Sequence, residues 1–292
     1  MPIQAKIIAD SISEAGKRLT TLQLVYPRFI HSETMTHRVF SRNASSSRAI
    51  PVKKMLEMVT SEPAMPIHWG KNQPGMQAKV ELEQPHKIRV QALWREAAHA
   101  AAAIAEKMEA EGAHKQIVNR ILEPFQHISV VLTATEFDNW FELRAHEDAQ
   151  PEIHELALQM RLAMNESAPR LLKPGEWHLP YVTEEDRSAE WAAHRVAENL
   201  CKISAARCCR VSYLTHDGRK SSIEEDLALC DRLAGARPIH ASPFEHQATP
   251  DYMEENQFDA SINDWSNKHL HGNLVGWVQH RKLLEAKMRH SA

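Results

Sequence analysis

The segment from Thr36 to Pro51, THRVFSRNASSSRAIP, packs four serines, one asparagine and three arginines into sixteen residues. Ser41, Asn43, Ser45, Ser46 and Ser47 offer hydroxyl and amide donors, and Arg48 adds a fixed positive charge. That combination suits a phosphate or another oxyanion. The same serines would equally cap a helix starting at Pro51, which makes the segment a solvated loop. Neither G-x-x-x-x-G-K-[ST] nor G-x-G-x-x-G occurs, so the common phosphate loops are excluded. A second group, NWFELRAHEDAQ, places Asn139, Arg144 and His146 at roughly helical spacing, with Trp140 and Phe141 on the apolar side. Arg144 could fork onto a carbonyl or carboxylate of a ligand, or pair with Glu147 or Asp148 at the surface. A third, IHASPFEHQ, sets His240 and His246 around a Ser-Pro turn beside Ser242 and Glu245. Two histidines so spaced in a loop suit a structural role better than a metal.

These groups need elements to hold them. Alternation predicts a strand over Leu19–Tyr26, and Pro27 suits the first turn of a helix carrying Phe29, Ile30, Met35 and His37. The segment after it reads as irregular and polar, and Pro51 opens a short helix, PVKKMLEMV. Residues 61–76, rich in Pro and Gly, read as a loop. A long helix is predicted over about Gln84–Glu111, stopped by Gly112, with Ile88, Leu93, Ala97, Ile104 and Met108 on one side. HKQIVNRILEP reads as a short helix ended by Pro124, and HISVVLTAT as a strand. Residues 136–164 read as helix on both sides of a break near Pro151. Further helices are predicted over about Ser188–Cys209 and over SSIEEDLALCDRLAG, capped and ended by Gly235. RPIHASPFEHQATP reads as a loop, and NLVGWVQHRKLLEAKM as helical at least in part. The fold class is α+β and helix-rich.

A chain of 292 residues holds one large domain or two small ones. Its net charge of −3 gives no global basic field, so no nucleic-acid partner is expected, and any bound anion is small and held locally. MPIQAKIIADSISEAGK is polar and lacks the apolar core of a signal peptide. The most apolar run, Ala97–Ala105, contains His99 and is too short for a bilayer. A soluble, cytoplasmic protein with no membrane partner is expected. Cys201, Cys208, Cys209 and Cys230 form no C-x-x-C and read as reduced, buried thiols. No set of histidines and cysteines has zinc spacing, so no metal is expected.

Taken together, the three groups resemble the flavin-dependent thymidylate synthases. That family's signature is Arg-His-Arg, seven residues, then Ser, with an inner Ser-x-Asn-Glu-x-Ser-x-Arg. His37, Arg38, Ser41, Asn43, Ser46 and Arg48 fall on it in register. The family's second block, an arginine before Ile-x-x-Pro and a later Asn…Leu-Arg…Ala-Gln, is matched by Arg120, Asn139, Arg144 and Gln150. Its usual opening blocks stand late in this chain, as CCRVSY, the helix after it, and IHASPFEH. The motif order therefore resembles a circular permutation of the family within one domain over 1–292: residues 1–180 carry the signature and second block, and 181–292 the block that normally comes first. Permutation is physically reasonable because domain termini often lie close together.

The resemblance implies a helix-rich fold with a central, mostly antiparallel sheet. It implies that Ser46, Ser47, Arg48 and Arg120 grip the phosphate of a nucleotide such as dUMP and that Arg144 faces the pyrimidine, with Arg144 and Ser46 as the catalytic residues. His37, Arg38, Ser41, Asn43, Asn139, His240 and Ser242 would lie along FAD, with NADPH and methylenetetrahydrofolate as co-substrates, in a homotetramer. No cysteine nucleophile is required. The chain departs from the pattern at Thr36, where the first arginine should stand, at Ala44 for the glutamate, at Asp148 for a histidine, and at Ile117 for a helix glutamate. Gln279, His280 and Arg281, in GWVQHRK, could replace the lost polar groups at the base-reading end. The alternatives are a hydroxymethylated uracil or cytosine nucleotide as product, or a non-catalytic nucleotide- or flavin-binding relative.

Overall fold

Two ten-residue strands, β1 (Gln4–Ser13) and β2 (Arg18–Pro27), start the fold as an antiparallel pair. The computed structural model describes residues 3–191, 196–215, 218–254 and 264–290. Gly16 turns the chain between the strands at φ 74°, a conformation glycine adopts without steric cost. The sequence reading assigns no element to this polar N-terminal stretch. It is a strand because its polar side chains find partners. Asp10 accepts from Arg18 Nε at 2.9 Å, from Thr20 at 3.0 Å and from Ser167 at 2.7 Å.

Pro27 opens only a 3-10 turn, Arg28–Ile30, followed by the one-turn α1 (His31–Thr34). The helix predicted through His37 stops early. Thr34 and Thr36 hydroxyls donate to the carbonyls of Ile30 (3.2 Å) and Glu33 (2.7 Å), a local bonding that competes with helix propagation. Next comes β3 (Ser41–Ala44), where an irregular segment is expected; the pairing with β4 (His127–Ala134) makes it a strand. Between these lie α2 (Val52–Ser61), α3 (Gln84–Ala110), α4 (Lys115–Val118) and a 3-10 turn over Asn119–Phe125. α3 buries Ala98, Ala102 and Ala105 against Met55 and Val59 of α2, while Ile88, Leu93 and Ile104 of the predicted apolar side stay exposed. Small side chains win that face because they let the helices approach closely.

α5 (Asp138–Arg144), α6 (Pro151–Glu166) and β5 (Arg170–Leu172) follow. The sheet order is β3-β4-β2-β1-β5, antiparallel except where β5 joins β1 in parallel. Then come α7 (Glu184–Trp191), α8 (Val196–Arg210) and α9 (Ile223–Gly235). The helix predicted over 188–209 falls on α7 and α8, and its residues 192–195 lie outside the described residues. A 3-10 turn at Ser242–Glu245 leads to β6 (Ala248–Pro250), β7 (Met253–Glu254), β8 (Asp264–Trp265), β9 (Trp277–Gln279) and α10 (His280–His290). Among the described residues no helix is long and apolar enough to cross a membrane.

Alternation along the strands gives the sheet two unlike faces. Leu22, Leu24 and Tyr26 of β2 and Ile128, Val130 and Leu132 of β4 pack against Trp140 of α5 and Ile153, Leu156 and Met160 of α6. On the other face Ser41, Thr133 and Thr21 stand in one row across three strands. Residues that follow β5 in the chain cover that row and bond to it. Thr21 Oγ1 meets His178 Nε2 at 2.8 Å and Thr133 Oγ1 at 2.7 Å, and Thr133 meets His246 Nδ1 at 2.8 Å. Ser11 holds the other His178 nitrogen at 2.9 Å. Ser41 donates to Asn273 at 3.1 Å, and Asn43 to the carbonyl of Cys208 at 3.1 Å. The cover is itself clasped: buried Arg207 forks onto Asp186 (2.6 and 2.8 Å) and reaches Asp226 at 2.8 Å, while Arg210 pairs with the other Asp226 oxygen.

Candidate functional site

α5 has seven residues, and its i, i+4 pairs Asn139/Leu143 and Trp140/Arg144 share one side of the helix. With Thr36, His37, Arg38 and Val39 they line a cleft of about 570 Å³, which Glu136 and Asp138 also border. Trp140 is the anchor. It is 1% exposed, and its ring meets His37 edge-on at 4.7 Å and Phe40 at 5.6 Å, so burying one indole fixes both walls. Among the described residues its buried Nε1 has no hydrogen-bond partner.

Arg144 does not form the surface ion pair that its neighbours offered. Its Nε donates to His37 Nε2 and its Nη2 to Thr36 Oγ1, each at 3.4 Å. Asp148 pairs instead with Lys79 at 2.8 Å. Burial, then the positive charges of Arg144 and Arg42, push the His37 imidazole below its ordinary range, so the ring is neutral and Nε2 can accept.

The serine-rich segment lies by the start of β4, where Ser45 N donates to the Ser129 carbonyl at 2.8 Å, whereas α5 and Arg144 follow the end of that strand. Pro51 caps α2 without any side-chain hydrogen bond, so the serines are not its caps. Ser47 is buried and donates to Glu123 at 2.5 Å, a carboxylate that also holds Arg120 and Arg28 at 3.1 Å each. Asn119 Nδ2 braces the loop from below, on the carbonyls of Ser47 (2.7 Å) and Ile50 (2.9 Å). Ser46 and Arg48 are exposed beside it. Glu123 thus gathers donors of the kind an oxyanion uses, and occupies them.

The remaining residues named from sequence scatter. Ser41 and Asn43 point into the covered face of the sheet, and His240 and Ser242 are exposed on the loop before β6. Gln279 is buried, donating to the Glu245 carbonyl and to Asn273 Oδ1 at 3.1 Å each; Asn273 in turn donates to Val39 O at 2.8 Å on the cleft wall. Arg281 is ion-paired to Glu245 and to Glu285, the latter at 2.7 Å. The cleft therefore unites His37, Arg38, Asn139 and Arg144. Sequence reasoning passed over Glu136, Asp138, Val39 and Leu143. Leu143 was within reach, four residues from Asn139; Glu136 carries no periodic signal. Among the described residues no three His, Cys, Asp or Glu side chains converge as a metal set.

Residues 18–170 match the model of the family described as thymidylate synthase complementing protein. That span holds the cleft and the serine-rich segment, and ends before CCRVSY and SPFEH. No curated protein matches the chain. Among solved structures, a UMP/dUMP methylase PolB from Streptomyces cacaoi is similar in two forms. The one bound with 5-Br UMP has 16% identity over 56% of this chain and 89% of its own, with a TM-score of 0.47. The one bound with 5-Br dUMP has 17% identity over 56% and 90%, with a TM-score of 0.46.

Proposed function

The chain belongs to the thymidylate synthase complementing protein family, and from that membership we propose that it transfers a one-carbon unit to C5 of a deoxypyrimidine monophosphate, most simply dUMP. The observation that carries this reading is the cleft that joins Arg144 and Arg38 to a neutral His37 and to Asn139. An arginine fork pairs with a pyrimidine carbonyl and stabilises negative charge that develops on its oxygen. Because the serine-rich segment lies apart from the cleft within one chain, Ser46 and Arg48 would meet the nucleotide phosphate in a site shared between subunits of the homotetramer, where the phosphate competes with Glu123 for Ser47 and Arg120.

The cleft residues fit a flavin. Arg38, Asn139 and neutral His37 supply both donors and acceptors for ring carbonyls and nitrogens. Arg38, Asn139 and His37 would hold FAD, which when bound supplies reducing equivalents renewed from NADPH; methylenetetrahydrofolate would supply the carbon. The chain's own part is to orient the base through Arg144 and to exclude water with Trp140 and Leu143. Homotetramer assembly, and a permuted motif order in which residues 181–292 carry the usual opening blocks, belong to the same proposal. The bonds of His246 and Asn273 to the sheet support the second.

Glu136 and Asp138 favour one further reading, a cytosine nucleotide whose exocyclic amine donates to a carboxylate. The test is the visible spectrum of the protein with FAD, before and after dUMP, followed by product mass from dUMP and from dCMP. A flavin spectrum that shifts with dUMP, and a product one methylene heavier, is expected. Absence of flavin binding and of any product would overturn the synthase reading.

A further inference from the structure

We propose that Thr36 and His37 position Arg144, as an acceptor pair that fixes one edge of its guanidinium and leaves the other free for the nucleotide, resting on the reading of the cleft as the nucleotide site. A guanidinium has five N–H donors and no acceptor. Here Nε and one Nη2 hydrogen are taken by His37 and Thr36, at 3.4 Å each, which leaves Nη1 and the second Nη2 hydrogen. Both partners are held as acceptors. The Thr36 hydroxyl spends its own proton on the Glu33 carbonyl at 2.7 Å, so only lone pairs remain for Arg144. His37 lies edge-on to Trp140 at 4.7 Å and stacked near Phe40 at 5.8 Å, which fixes its ring plane.

The charged groups facing His37 are Arg144 from α5 and Arg42 from β3, with Arg38, Glu136 and Asp138 along the same cleft. Protonated His37 would present a donor to Arg144 and release it. An arginine at position 36, as the family signature has it, could not accept either. The departure at Thr36 therefore replaces a cation with an acceptor beside the fork.

Thr36 is exposed, so its substitution leaves the core intact. Thr36→Val should raise the dissociation constant for dUMP, measured without flavin, by about tenfold, the worth of one hydrogen bond to a charged group at the low end. Thr36→Ser should stay near the parent. In an Arg144→Met background Thr36→Val should have no further effect, because Thr36 acts through Arg144. Weaker binding by the parent protein as pH falls, as His37 takes a proton, is the accompanying expectation. Equal dUMP affinity for Thr36→Val and parent, or an undiminished loss in the Arg144→Met background, overturns the proposal. If the parent protein binds no pyrimidine nucleotide, it is the function that fails. The clamp is then read from the Arg144 Nε–H resonance, identified by its loss in Arg144→Met: a shift in Thr36→Val but not in Thr36→Ser supports the clamp, and no shift overturns it.

Discussion

Lowering the pH from 7 to 5 should cost the fold about 4 kcal/mol through two histidines alone. Burial pushes His178 down to about 3, with slight relief from Asp10, and pushes His246 down to about 3, reinforced by His178. Both nitrogens of His178 are engaged, on Ser11 and Thr21, and His246 Nδ1 is engaged on Thr133. A proton on either ring would be a buried charge with no carboxylate bonded to it among the described residues. In the unfolded chain both rings titrate near 6.5. The folded value lies below the unfolded one, so the unfolded state binds more protons below pH 6.5, and stability falls from there until the folded value near 3. At about 1.4 kcal/mol per unit, each ring loses about 2 kcal/mol by pH 5. His280, buried and held at about 4, acts in the same direction. Urea denaturation followed by tryptophan fluorescence, across this pH range, measures the loss. The double variant His178→Gln, His246→Gln should be less stable at neutral pH but should show a much flatter pH dependence. A slope that is the same in both proteins would refute the assignment to these rings.

Asp226→Ala should destabilise the chain by about 3–5 kcal/mol in the same denaturation assay, because it leaves Arg207 and Arg210 with one carboxylate fewer in a buried clasp. Asn119→Ala removes both bonds under the 47–50 loop and should cost about 1–3 kcal/mol; nucleotide KM should rise more than kcat falls, as steady-state kinetics would show. Cys209 is the least buried thiol and burial still pushes it up, so Cys209→Ser should leave turnover within about twofold of the parent.

The long helices, β2 and β4 were legible because their patterns are strong: an apolar alternation in LTTLQLVY, a capping box at Ser222 and Glu225, and stops at Gly112 and Gly235. β1 and β3 were not. β1 breaks up its three isoleucines with Lys6, Asp10 and Ser11, and β3 is only Ser-Arg-Asn-Ala, so neither shows a clean alternation; their polar groups find partners elsewhere, Asp10 on Arg18 and Asn43 on the Cys208 carbonyl, 165 positions away. At the cleft, Asn139 and Arg144 showed through helical spacing, and His37 and Arg38 through the signature they resemble. The partners that define Arg144 did not, because Thr36 and His37 come from a separate segment, 108 and 107 positions earlier in the chain. Glu123 was invisible for the same reason: nothing in NRILEP says that its carboxylate collects Ser47, Arg28 and Arg120.

The two unlike faces of the sheet differ in thermal character. Apolar burial carries a large heat capacity and weakens on cooling, whereas polar burial contributes heat capacity of the opposite sign. The layer built on Leu22, Leu24, Val130 and Leu132 weakens in the cold, and α5 is part of it. The cover on the other face adds hydroxyl, imidazole and amide bonds, which lack that weakness, to apolar contacts of its own, such as Val131 with Tyr181 and Val211 and Leu19 with Trp277. Cold therefore loosens both layers, and the covered face keeps polar bonds to which the apolar packing of the wall carrying Arg144 offers no counterpart.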